Sequence, residues 1–228
     1  MKAILISIKP EWVEKILNGE KTIEIRKTIP KCELPIKVYI YCTNDQKHLV
    51  APFEFLEGWF YREYNNNTSY ACGCTSRMGE TINGKVVAEF TLNKIDFLID
   101  VGSGIHYADK DFNDLDLDYL RANSCLSDEQ IYLYLGLKKD SGYYNEGFAW
   151  HIEDLHIYDT PKELSEFKTL PCEKSENACA NCKYLQVTNT PYAYETYCPI
   201  ENGKTLTRPP QSWCYVEVTN KWKKIIWL

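Results

Sequence analysis

Lys21, Glu24 and Arg26 stand close together in Gly19-Glu20-Lys21-Thr22-Ile23-Glu24-Ile25-Arg26, so one short segment carries an ammonium, a carboxylate and a guanidinium. Two cations beside a carboxylate can meet a phosphate or a carbonyl and can also accept a proton or an amino hydrogen. Read by alternation alone, the same segment is equally an exposed strand with an ordinary cross-strand ion pair, worth about 0–1 kcal/mol. A second constellation lies nearer the C-terminus, where Cys172, Cys179, Cys182 and Cys198 include one Cys-x-x-Cys knuckle suited to tetrahedral zinc. Four thiolates would close the coordination sphere, so the Zn2+ expected there is structural, with Cys214 as an alternative fourth ligand and scattered free thiols as the alternative to any metal. Cys72 and Cys74 read as free thiols in a loop, and His48, His106, His151 and His156 show no metal spacing.

These groups need elements to position them. Lys2 to Ile8 reads as a strand that runs into Pro10, a favoured first helical residue. Trp12, Val13, Ile16 and Leu17 recur at helical spacing and Gly19 supplies a stop, which predicts a helix over residues 10–18. The next segment alternates, with Ile23 and Ile25 on one face of a half-buried strand and Glu24 and Arg26 on the other. Lys21 has the parity of the isoleucines and is tolerable only at the strand mouth, lining a cleft. Further strands are expected over 36–42, over 85–97 after the Asn83-Gly84 turn, and over 147–158, in a sheet growing antiparallel. Ser127 with Gln130 is a capping box for a short helix, and 161–167 has the features of another.

The apolar run Ala3 to Ile6 is too brief for a signal peptide and no run approaches bilayer-spanning length, so a cytoplasmic location is expected, where ten cysteines favour metal binding or free thiols over disulfides. A net charge of −6 argues against a general nucleic-acid coat. A local basic site is still compatible with it, because residues 1–50 hold nine Lys or Arg against six Asp or Glu, whereas Asp109 to Asp118 holds five Asp and one Lys. Any anionic ligand should therefore meet the N-terminal third. The expected organisation is one domain over 1–168, interrupted by an insertion at about 44–82, and a Cys-rich module over 169–228.

Ser7-Ile8-Lys9-Pro10 followed by Ile16 through Arg26 resembles the opening of ASCH domains, whose signature Gly-x-Lys-x-x-Glu-x-Arg is matched at Gly19, Lys21, Glu24 and Arg26. The resemblance continues through Gly84 to Phe90 and Phe148 to Ile152. It implies an α+β, PUA-like fold: a small β-barrel flanked by short helices, with a cleft beside the signature strand that binds RNA or a modified nucleotide. In that cleft Lys21, Glu24 and Arg26 would contact the ligand, and Trp150 and Tyr41 are the aromatics expected nearby. Some relatives are amidohydrolases on acetylated cytidine, with a threonine nucleophile where this chain has Glu24; Lys21 carries over but the hydroxyl does not. Others have been described as ribonucleases, for which Glu24 could serve as base with Lys21 and Arg26 offsetting phosphate charge. Three readings stand at this point: an RNA or modified-nucleotide binder, a hydrolase using Glu24 and Lys21, and an adaptor that contacts a protein partner.

Overall fold

The computed structural model describes residues 1–52, 60–64, 79–100, 104–136, 146–172, 186–190, 193–198 and 202–217. Strand β1 (Lys2–Ile8) is buried at six of its seven positions because it is covered on both faces. Ile4, Ile6 and Ile8 enter one apolar cluster, and Ala3 and Leu5 enter another on the opposite side. Continuous burial rather than alternation is what a central strand requires. Helix α1 (Pro10–Leu17) follows, and Gly19 adopts a left-handed φ of 75° just past its end.

The remaining strands are β2 (Ile23–Arg26), β3 (Ile36–Cys42), β4 (Lys47–Pro52), β5 (Tyr61–Tyr64), β6 (Gly79–Thr81), β7 (Lys85–Leu92), β8 (Ile95–Asp100), β9 (Ile105–Ala108), β10 (Glu146–His151), β11 (Glu153–Glu163), β12 (Lys168–Thr169), β13 (Gln186–Thr190), β14 (Ala193–Tyr197) and β15 (Trp213–Glu217). Between β9 and β10 lie helices α2 (Leu117–Ser124) and α3 (Asp128–Leu135). The main sheet has the order β11-β7-β3-β1-β15-β12, and a second, four-stranded sheet has the order β2-β10-β8-β9. The α+β class expected from the sequence is what forms, and no closed barrel is found among the described residues.

Several expectations are corrected. The main sheet is mixed, because β1 and β3 pair in parallel through the α1 crossover. The strand predicted over 85–97 is two, β7 and β8, in different sheets. The strand predicted over 147–158 is likewise split into β10 and β11. Both breaks fall at one corner. There His151 N–H donates to the Lys94 carbonyl at 3.1 Å, and Ile152 N–H donates to the Thr22 carbonyl at 2.9 Å. Alternation runs through such a corner uninterrupted, which is why periodicity does not reveal it. The helix predicted over 161–167 is a 3-10 turn, Leu164–Glu166, since β11 extends to Glu163.

The C-terminal stretch is sewn to the rest. β15 pairs antiparallel with β1, Ala3 opposite Val216 and Leu5 opposite Cys214. Upstream, Thr169 N–H donates to Lys204 O at 2.9 Å and Leu206 N–H to Phe167 O at 2.9 Å. Gly203, with a φ of 77°, sits in this seam so closely that a Cβ there would meet the Thr169 carbonyl oxygen at 2.2 Å. Among the described residues no helix is long and apolar enough to cross a membrane. Gly203→Ala combines a positive φ with a backbone clash and should cost more than about 1 kcal/mol, read as a lowered denaturant midpoint; an unchanged midpoint would show that the seam contributes nothing to stability.

Candidate functional site

β2 is the edge strand of the four-stranded sheet, yet all four of its residues are buried, not one face as its alternation predicts. Ile23 and Ile25 pack in a cluster with Leu98, Leu120, Ile131 and Leu135, so α2 and α3 cover that face. The end of α2 is tied down by Thr22, whose N–H donates to Asn123 O at 2.9 Å and whose hydroxyl donates to Asn123 Oδ1 at 2.7 Å. The opposite face carries Glu24 and Arg26 beneath a cavity.

Glu24 is the centre of a buried charge triad. Its Oε2 lies 3.3 Å from Lys21 Nζ and its Oε1 lies 3.0 Å from Arg26 Nη2. Side-chain exposures of 1% for Lys21, 9% for Glu24 and 6% for Arg26 mean that water screens these pairs weakly. Lys21 precedes β2, which frees it from strand parity and lets its ammonium turn toward Glu24. That ammonium also donates to the Ser124 carbonyl at 2.7 Å, at the electronegative C-terminal end of α2, and lies 5.5 Å from the centre of the Trp12 ring. Arg26 donates from Nη2 to the Ser7 carbonyl at 2.9 Å and from Nη1 to Ser212 Oγ at 3.3 Å. Its buried Nε has no acceptor among the described residues.

The triad forms part of the wall of a cavity of about 690 Å³. Trp12 from α1, Leu133 and Tyr134 from α3, and Pro209, Pro210 and Gln211 from the C-terminal stretch complete it. Leu133 is 84% exposed, an unusual outlay of apolar surface at a cavity rim. Burial pushes the Tyr134 hydroxyl above its ordinary range, with the Arg26 guanidinium beside it pulling the other way.

Of the aromatics expected near the cleft, Trp150 stands opposite Glu24 in the β10–β2 register but is wholly buried in the core, its ring 5.8 Å from that of Trp213. Tyr41 packs in the cluster that holds Tyr39 and Phe167. Neither lines the cavity. Cys179 and Cys182 lie outside the described residues, as do Cys72 and Cys74. Cys172 and Cys198 are partly buried, and Cys214 is a β15 residue whose thiol burial pushes up. Among the described residues no three of His, Cys, Asp and Glu group as metal ligands. The acidic stretch is spent locally: Asp109 accepts from Asp111 and Asn113, Asp116 caps α2, and Asp118 pairs with Arg121.

One buried polar group was missed. Asp96 is 1% exposed, and its Oδ2 receives Tyr107 at 2.8 Å, Lys94 at 2.8 Å and His151 at 2.7 Å. An aspartate inside the apolar run Ile95 to Leu98 was the available signal. His151 is thereby a satisfied structural histidine.

No protein-family model matches the chain. Over 56 residues, 25% of this chain, it is 38% identical to an ASCH domain-containing ribonuclease of Zymomonas mobilis subsp. mobilis. The likeness to an ASCH domain-containing protein is confined to that stretch. The alignment spans 37% of that relative's length. Among solved structures, the crystal structure of ASCH from Zymomonas mobilis is similar at 16% identity and a TM-score of 0.44, covering 95% of this chain and 88% of that one. A serine-to-alanine mutant of it gives 16% identity and a TM-score of 0.43, covering 95% and 89%.

Removing Glu24 leaves two buried cations facing each other without a counter-charge. Glu24→Ala should therefore destabilise the fold by about 3–5 kcal/mol, measured by urea denaturation, and a loss below about 1 kcal/mol would mean that water reaches the triad.

Proposed function

We propose that the chain binds single-stranded RNA in the cavity above Lys21, Glu24 and Arg26. The observation that carries this reading is the triad's unequal charge. Two buried cations share one carboxylate, so an excess positive charge sits in a weakly screened wall that also offers Trp12 and Tyr134. Single-stranded nucleic acids are held by that pairing, cations for the backbone and ring faces for the bases. A net charge of −6 fits a short footprint rather than an extended coat.

Binding of a short fluorescent RNA, followed by polarisation at fixed salt, tests this. Lys21→Ala should weaken it about tenfold, the scale of one charge-assisted contact, in a protein that circular dichroism shows to be folded. Unchanged affinity in the folded variant would remove Lys21 from the site.

A second reading, ribonuclease activity, draws support from the name of the Zymomonas relative. In it Glu24 takes the proton of the 2′-hydroxyl as that oxygen bonds to phosphorus, the P–O5′ bond breaks to leave a 2′,3′-cyclic phosphate, water protonates the departing 5′-oxygen, and Lys21 and Arg26 offset the charge developing on the phosphate. Glu24→Gln keeps the size of the side chain and removes the base, so cleavage of a labelled RNA should fall by at least about a hundredfold; cleavage that survives in the variant assigns it to another group.

The zinc site is proposed on donor chemistry alone: Cys172, Cys179, Cys182 and Cys198 supply a set of four thiolates, which suits structural Zn2+. Elemental analysis of the purified chain should find a stoichiometric zinc ion that Cys182→Ser depletes. A metal-free, folded wild type would exclude it.

A further inference from the structure

Residues 209–212 line the cavity as a strap drawn from the C-terminal stretch, held by several hydrogen bonds. Ser7, itself buried, donates its hydroxyl to the Pro210 carbonyl at 2.7 Å and its N–H to the Ser212 carbonyl at 2.9 Å. Arg26 donates to Ser212 Oγ at 3.3 Å, and Trp213 Nε1 donates to Thr28 Oγ1 at 3.0 Å. Pro209 and Pro210 have fixed φ angles and no N–H to satisfy. The backbone on either side of Gln211 is therefore held in place, while Gln211 itself is exposed on the cavity wall and its side chain makes no hydrogen bond among the described residues. The other amide on the wall, Gln130, has its oxygen committed to the Ser127 N–H at 2.9 Å in the α3 capping box.

We infer that Gln211 is the specificity-determining residue of the cavity, reading one edge of an unpaired nucleobase while Lys21 and Arg26 hold the backbone. This rests on the reading of the cavity as an RNA site. A carboxamide sets one donor beside one acceptor, and a base edge that offers the complementary pair takes two hydrogen bonds from it. Preorganisation matters here: an amide on a loose loop would lose in ordering entropy much of what it gained in hydrogen bonding. The strap supplies the rigid mount, and Ser212 couples that mount to Arg26.

The test measures affinities of the full chain for short homopolymers of A, C, G and U at one salt concentration, for wild type, Gln211→Ala, Gln211→Glu and Lys21→Ala. Wild type should discriminate the best from the worst base by about fivefold or more. In Gln211→Ala that ratio should collapse to within about twofold, with the poorest oligomer bound almost as before, since the lost contact is to a base edge and not to the backbone. Gln211→Glu, which loses the donor, should change which base is preferred. Lys21→Ala should weaken all four together. Discrimination that persists in Gln211→Ala, or wild-type binding with no base preference, overturns the role of Gln211 and leaves the RNA reading standing. Failure of wild type to bind any of the four overturns both.

Discussion

Glu24, held between Lys21 and Arg26 with almost no water to screen it, is the constraint around which the rest of the site is arranged. Three charges taken out of solvent cost several kcal/mol each unless their geometry and hydrogen bonds compensate. The compensation comes from four directions. α2 offers its C-terminal carbonyl at Ser124, β1 offers the Ser7 carbonyl, the strap offers Ser212, and α1 presents the Trp12 ring. Each of these elements is also fastened by its own packing, so the charges and the fold restrain one another. What the arrangement leaves over is a single positive charge and an unpartnered guanidinium nitrogen beside a largely apolar cavity.

The strap makes the C-terminal stretch part of this site. Residues 202–206 are seamed to Phe167 and Thr169, β15 extends the main sheet beside β1, and the segment between them closes one wall of the cavity. Trp213 ties the two, because its ring lies near Trp150 in the core while its indole N–H reaches Thr28 just past β2. A chain cut after residue 168 would lose a cavity wall, a partner of Arg26 and the neighbour of β1.

Much of the site was legible in the sequence. Gly19 as a helix stop, Lys21 at the mouth of the strand after it, and Glu24 and Arg26 sharing one face of that strand stand where spacing put them, and the Ser127–Gln130 capping box forms as read. Local signals of this kind survive because they depend on a few adjacent residues. One failure comes from burial on a second face by distant segments. Alternation marked β2 as half-exposed because the strap and the helices that cover it lie about a hundred residues or more away in the chain. The corner at Lys94 and Ile152 is invisible for another reason, since a strand that changes sheets keeps its period of two. Trp150 was placed at the cleft by its position in the motif strand, yet it fills the core, where the largest aromatic side chain is best accommodated.

The central claim is that Glu24 and its cations form one energetically coupled, buried unit, and a double-mutant cycle on unfolding measures that coupling directly. Lys21→Met, Glu24→Gln and the pair should show an interaction energy of at least about 1 kcal/mol, the range found for residues in one buried network. A value within about 0.3 kcal/mol of additivity would mean that the two groups are independently solvated and that the triad is no unit at all.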